Sequence, residues 1–502
     1  MTRSNEGALA LLSYFFNALH EQDIHYCHWK STHGLPRALA GKTDLDLLVD
    51  RNDAHRFQNI LSLCDFRPVI SSPRRQFPAI QDYLGMDAQT GRLTHLHIHY
   101  RVVLGEEFVK NYYLPLEPAF LNNTRALCGV RVPLPEIEML GLVLRALVKY
   151  RDRDIVKDML HLGTGGLPPS TLDELHALGA QTTDERLLCA VERYLPFVSP
   201  DLFREFLYTI RHTPRAGWTL YRLRRQLRAD LAPFRRWSSW QATRIYWNAI
   251  LQDTPPFNRL PSRSEKRKSP ASGGLVLALV GADGAGKSTV VRELTHWLGW
   301  RLNVQTFYMG TTRPSRLTKF LGSISSFVGL PYAVCRRAFG DEHFVTRRTA
   351  ELAQTAQYIR LVGQGRDRYR RYCAGRQKAA RGSIVIFDRY PLHNVHLFGR
   401  TMDGPRIAAL HGDELRGLTR RLVVAEEGWY RKIVPPEHIF LLRVRPEVSL
   451  ARKPEHAPER IVAKSHALNE LAESNTQVTV IDAEKPLEAV LLEIKQRVWN
   501  LI

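Results

Sequence analysis

The run Gly281-Ala282-Asp283-Gly284-Ala285-Gly286-Lys287-Ser288-Thr289 carries the spacing G-x-x-x-x-G-K-[ST]. Glycines at those positions let backbone N–H groups turn inward on phosphate oxygens. The lysine then reaches the β- and γ-phosphates, and the Ser288 hydroxyl supplies a ligand for Mg²⁺. Lys287 is therefore expected to face a bound nucleotide such as ATP. A second candidate set is Asp388-Arg389-Tyr390-Pro391. A carboxylate there can order the Mg²⁺ shell or position an attacking oxygen, and an arginine can hold an anionic acceptor. A third is Asp44 and Asp46. Carboxylates at i and i+2 on a strand face one side and can share Mg²⁺. His95, His97 and His99 alternate in the same way. They could bind a transition metal, replace a carboxylate, or belong to a half-exposed strand.

These residues need elements to hold them. Leu275–Val280 reads as a buried strand feeding the glycine run, and Thr289–Trp300 has helical spacing. Val304–Met309, Ser383–Phe387, His438–Val444 and Gln477–Ile481 read as further strands, with Pro486–Leu501 as a closing helix. Ser383–Phe387 delivers Asp388 at its C-terminal end, where ligands bind in open α/β sheets. Pro446–Lys464 reads as a helix followed by a basic, hairpin-sized segment.

Upstream, Asp44–Val49 and Leu93–Val103 read as strands, and helical spacing takes over from Pro135. Glu136–Tyr150 offers two apolar faces, as a helix inside a bundle does. Pro261–Gly274 is charged, rich in Pro, Ser and Gly, and without hydrophobic periodicity. The expected organisation is an α+β domain over 1–133, a helical domain over 134–260, a linker over 261–274 and an α/β domain over 275–502.

The chain has 502 residues, 44% hydrophobic and 24% charged, a soluble globular composition. Its net charge of +21 favours anionic partners, unless the arginine content only reflects the host genome. The six cysteines are scattered without a C-x-x-C pair, which fits reduced thiols and a cytoplasmic location. Ala8–Leu19 lacks a basic start and a cleavage site, so it reads as an amphipathic first helix, and no apolar run is long enough to span a bilayer. Between Arg211 and Arg244, arginines interleave with Trp218, Tyr221, Trp237 and Trp240. Such a segment can hold nucleic acid or an anionic membrane surface. It can equally be a solvated face whose aromatics point to the core.

GADGAGKST, the DRYP after a buried strand, the basic segment after PEVSLAR, and VIDAEKPLEAV together resemble the thymidylate kinase branch of the nucleoside-monophosphate kinases, over about residues 275–502. The resemblance implies a P-loop kinase domain with a five-stranded parallel sheet, ATP with Mg²⁺, and phosphoryl transfer to an anionic acceptor. It makes Gly281 to Thr289 the nucleotide loop, Ser288 and Asp388 the metal residues, Asp283 the acidic loop residue, and Arg389 the arginine on the acceptor phosphate. Because Gly284 leaves the loop without an arginine, a cation for the transferring phosphoryl is expected from Arg452, Lys453 or Arg460. Where that family carries an acid that reads the nucleoside, this chain has Gly310-Thr311-Thr312-Arg313-Pro314-Ser315-Arg316. Arg313, Arg316 and Lys319 suit a larger or more anionic acceptor.

Lys30-Ser31, then Gly41-Lys42-Thr43-Asp44-Leu45-Asp46 entering a strand, resembles the polymerase-β-type nucleotidyltransferases over about residues 15–133. LVKYRDRDIVKDML resembles the helices appended to such domains. The resemblance implies a Mg²⁺ site at Asp44 and Asp46. The turn has Lys30 in place of glycine, and a third carboxylate is missing from Leu93–Val103.

The reading is an ATP- and Mg²⁺-dependent phosphotransferase acting on a nucleoside monophosphate, or on a sugar, glycan or lipid-linked phosphate. A nucleic-acid-directed module and a nucleotide sensor with an inactive Asp44/Asp46 site are the alternatives, and a homodimer is left open.

Overall fold

The computed structural model describes residues 7–106, 108–150, 167–213, 216–253, 267–397, 400–410, 417–452, 458–474 and 477–502. The chain divides into two compact units, Met1–Ala271 and Ser272–Ile502.

The first unit begins with the helix Ala10–Glu21, whose Leu12, Phe15, Phe16 and Leu19 recur at helical spacing and are buried. Its strands are β1 (Tyr26–His28), β2 (Leu45–Val49), β3 (Arg67–Ile70), β4 (Ile80–Met86) and β5 (Leu93–His99). Two hairpins follow, β6 (Val102–Leu104) with β7 (Tyr112–Leu114) and β8 (Thr124–Leu127) with β9 (Val130–Pro133). β10 (Ser269–Pro270) comes last. Six of them form one sheet in the order β1-β2-β5-β4-β3-β10, with β2 and β5 parallel and β4 antiparallel to β5. The strand expected over Leu93–Val103 is two strands. His99 is the last residue of β5 with a partner on β2 or β4, so the ladder ends there and Val102 restarts against Leu114. The expected linker also ends in a strand: Ser269 and Pro270 pair with Ile70 and Val69, and the neighbouring Lys268 is tied to Asp82 at 2.7 Å.

Alternation along β2 sorts its residues between two cores. Leu45, Leu47 and Val49 join the cluster with Phe15 and Phe57, while Leu48 joins a helical cluster on the other face, the face Asp46 shares. The helix Pro135–Lys149 is buried nearly all round, as its two apolar faces require. Helices Pro169–Gly179, Asp184–Tyr194, Pro200–His212 and Gly217–Asp230 share its cluster. Most of LVKYRDRDIVKDML lies outside the described residues. In the Arg/Trp segment the core is built by Leu220, Leu223 and Leu227, and the buried Arg224 donates to the Tyr150 carbonyl at 2.6 Å. Trp218 and Trp240 are 64% and 69% exposed, so these aromatics do not point inward.

The second unit is built on β11 (Leu275–Gly281), β12 (Val304–Tyr308), β13 (Ile384–Asp388), β16 (His438–Arg443) and β17 (Val478–Asp482), with the small ribbon β14 (Leu392–Leu397) and β15 (Arg400–Met402) between. The five form an all-parallel sheet in the order β12-β13-β11-β16-β17. Every residue of β13 is buried, which is why it reads as a continuous apolar run. Two long helices, Arg316–Phe339 and Phe344–Ala380, pack on each other. In place of a short basic segment after the helix Pro446–Arg452, Pro458–Ser474 is itself a helix that buries Ile461, Leu468 and Leu471. Among the described residues no helix is long and apolar enough to cross a membrane, and all six cysteines are free.

Candidate functional sites in the two units

In the second unit β11 ends at Gly281 and the helix Lys287–Leu298 begins six residues on, with Gly286 as its N-cap. Gly281, Gly284 and Gly286 have φ of +155°, +87° and +84°, a region where a Cβ is strained. Contact also requires two of them. A Cβ on Gly281 would stand 2.7 Å from the Leu442 carbonyl oxygen of β16, and one on Gly284 would stand 3.0 Å from that of Ser449. The buried Ser449 hydroxyl donates to the Asp283 carbonyl, which ties the turn to the helix Pro446–Arg452.

Lys287 does not face solvent. It is 8% exposed, and its Nζ donates to the carbonyls of Ala282 at 2.7 Å and Gly281 at 3.0 Å. The reason is local: the lysine opens the helix, and its side chain folds back over the turn that precedes it. Burial, and then the Lys464 charge, push its ammonium down to about 8. Ser288 is exposed beside it, and Ala282 and Ala285 are buried under the turn. The Thr289 N–H donates to the Gly286 carbonyl at 3.0 Å.

Asp283 has Lys464 at 3.5 Å and Arg389 at 4.0 Å. Burial works to raise its carboxyl, but Lys464, Lys287 and Arg389 outweigh that and hold it below the usual range. Asp388 ends β13 next to β11 and is buried; burial raises its carboxyl, against the pull of Lys287 and Arg389. Its Oδ1 is buried without a hydrogen-bond partner among the described residues. Arg389 adopts φ +56° and lays its guanidinium 5.8 Å from the Tyr308 ring centroid. Arg313 lies over the same ring at 5.6 Å. Arg371 holds the intervening segment by donating to the carbonyls of Tyr308 and Gly310 at 3.0 Å each, and to that of Arg313.

The exposed Arg452 lies 3.4 Å from the carbonyls of Gly284 and Ala483, while Lys453 and the side chain of Arg460 lie outside the described residues. Lys464, the described cation nearest Asp283, escaped the sequence reading. The helical recurrence of Ile461, Leu468 and Leu471 was the signal that places it.

In the first unit Asp46 lies on β2 and Asp44 immediately precedes it, and their carboxylates do not converge. Asp44 Oδ1 meets His95 Nδ1 at 2.9 Å, whereas Asp46 Oδ1 meets His97 Nδ1 at 2.9 Å and Lys30 Nζ at 2.7 Å. Burial works to raise Asp46, yet Lys30 and the two histidines His97 and His99 hold it well below the usual range. His95 is buried and bridges to Asp82 Oδ1 through Nε2 at 3.1 Å. A further carboxylate beside these histidines is Asp82 on β4, which pairs in register with His97. Sequence spacing could not find it, because β4 precedes β5 in the chain and runs antiparallel to it. Lys30, Asp82 and His97 border a cavity of about 460 Å³ that Arg75, Lys110, Lys149, Arg267 and Lys268 also line. Burial and the Lys30 charge push Lys110 down to about 7.

No protein-family model matches the chain. The uncharacterized ATP-binding protein YghS of Escherichia coli strain K12 is 26% identical over 219 residues, 43% of this chain and 89% of that protein. The uncharacterized ATP-binding protein YghR of the same strain is 24% identical over 230 residues, 44% of this chain and 86% of its own length.

Proposed function

We propose that the second unit is a P-loop phosphotransferase of the thymidylate kinase-like type that uses ATP with Mg²⁺. One observation carries the reading: a glycine turn at the carboxyl end of a central parallel strand folds its own lysine inward, and the adjacent strand ends on a buried carboxylate. The names of YghS and YghR as ATP-binding proteins support the nucleotide.

The donors fit a hard cation, since Asp388 Oδ1 is buried and without a partner among the described residues and Ser288 is exposed at the helix start. Those two residues would hold Mg²⁺, which neutralises charge on the phosphates when bound. Inward N–H groups at the start of the helix Lys287–Leu298 would cradle the triphosphate. Lys287 would leave the Gly281 and Ala282 carbonyls and set its ammonium on the phosphoryl in transfer. Asp388 would position the acceptor oxygen or order the metal shell, and Arg389 would hold the acceptor's anionic group. Arg452 and Lys464 lie at hand to balance developing charge. Such a site works by positioning and charge neutralisation, so the acceptor is set by the segment that faces it. That segment presents Arg313 beside Arg389 and no carboxylate to read a nucleoside, which leaves room for a phosphorylated acceptor other than a nucleoside monophosphate, such as a sugar-, glycan- or lipid-linked phosphate.

The test is acceptor-dependent ADP release with Mg-ATP, screening nucleoside monophosphates beside sugar phosphates and short oligonucleotides, with Lys287→Ala as control. Stimulation by a phosphorylated small molecule supports a kinase. Stimulation only by oligonucleotides, steeply reduced by salt, supports a nucleic-acid-directed module instead. Nucleotidyl transfer is not extended to the first unit, because Asp44 and Asp46 point to different histidines.

A further inference from the structure

Asp46 Oδ1, His97 Nδ1 and His99 Nε2 form a triangle with sides of 2.9, 3.2 and 3.7 Å. Donors about 2.0–2.1 Å from a tetrahedral ion stand about 3.4 Å apart, so the three sides bracket the edge of such a coordination sphere. The sequence makes the triangle rigid. Asp46 and His97 are direct partners across the parallel β2/β5 ladder, and His99 follows two residues later on the same face. His99 is 1% exposed and packs edge-on against Trp29 at 5.1 Å. These three are the group among the described residues whose ligand atoms converge on one point.

We propose that Asp46, His97 and His99 form a binding site for a borderline divalent transition metal of the Zn²⁺ class. Two imidazoles and one carboxylate suit such an ion, whereas Mg²⁺ prefers an all-oxygen set that Asp44 does not complete. Two further features fit. His97 Nδ1 faces both Asp46 Oδ1 and His99 Nε2, and one ring proton cannot serve both contacts, whereas a cation at the centre takes a lone pair from each of the three atoms. The Lys30 ammonium, 2.7 Å from Asp46 Oδ1, already stands where positive charge is wanted. The metal displaces Lys30 from Asp46. The fourth position then faces the cavity that His97 borders, where the surrounding lysines and arginines select an anionic ligand.

The experiment uses the full-length chain, stripped with a chelator and free of nucleotide and Mg²⁺. Zn²⁺ affinity is read by competition with a chromophoric chelator, and Co²⁺ binding by its visible absorption. One ion per chain is expected, with Co²⁺ bands of low-symmetry four- or five-coordination. His97→Ala lowers affinity at least about tenfold, the least that losing a direct ligand should cost when loss of an outer-shell partner costs that much. Lys30→Met raises affinity, because the competing ammonium is gone, and this gain cannot arise from misfolding. Asp44→Asn leaves affinity unchanged. The assignment is overturned if no ion binds stoichiometrically, if His97→Ala and Lys30→Met both leave affinity as it was, or if Asp44→Asn costs as much as His97→Ala.

Discussion

Lys287 Nζ is held 2.7 Å from the Ala282 carbonyl oxygen, so the turn that precedes the helix is closed on its own cation. These bonds are structural, and the proposed function adds an electrostatic role for the lysine toward a bound anion. Lys287→Ala is expected to cut ATP turnover about a hundredfold or more, the scale for removing a charge from a site of developing negative charge. It should also cost about 1–3 kcal/mol of stability, since the Gly281 and Ala282 carbonyls lose a buried donor. Steady-state kinetics beside chemical denaturation checks both. A folded variant of unchanged stability would mean that the carbonyls find water instead.

The same lysine sets a pH dependence. With its ammonium pushed down to about 8, kcat/KM for ATP should fall as pH rises through about 8, because the free enzyme loses the charge that meets the phosphates. Stability runs the other way. Between about 8 and the ordinary 10.5 the unfolded chain binds the proton that the folded chain releases, so stability rises with pH across that window. Lys287→Met should flatten both profiles, as read by initial rates and by denaturant midpoints from pH 7 to 10.5.

Much of the second unit was legible in the sequence, because its signals are local. Apolar runs mark β11 and β13, and a fixed glycine and lysine spacing marks the turn. What escaped depends on packing. The approach of Lys464 to Asp283 is set by what lies across the fold, not by neighbours in the chain; in the first unit the same holds for the exposure of Trp218 and Trp240. In the first unit the D-x-D pair was legible. Its division between His95 and His97 was not, since it follows from the register of β2 against β5.

Gly281 and Gly286 separate two reasons for a glycine. Gly286→Ala meets nothing within 4 Å and carries only the left-handed strain, about 1–2 kcal/mol. Gly281→Ala adds a clash with the backbone of Leu442, which cannot rotate away, and should cost distinctly more. Denaturation of the two variants side by side gives the order; equal losses would mean that β16 yields.

Asp388→Asn keeps the shape of the β13 terminus and removes its charge. Phosphoryl transfer should drop far more than ATP affinity, as kcat against a directly measured Kd. An equal loss of both would confine Asp388 to organising Mg²⁺.

The most direct test of the central claim follows the label from [γ-³²P]ATP with Mg²⁺ in the wild-type chain, Lys287→Ala and Asp388→Asn, across the panel of phosphorylated acceptors. Label should move to an acceptor in the wild type, with ADP released in step, and both variants should lose that transfer while remaining folded. Wild-type protein that neither binds nor turns over Mg-ATP, or transfer that survives in folded Lys287→Ala, would contradict a phosphotransferase at this loop.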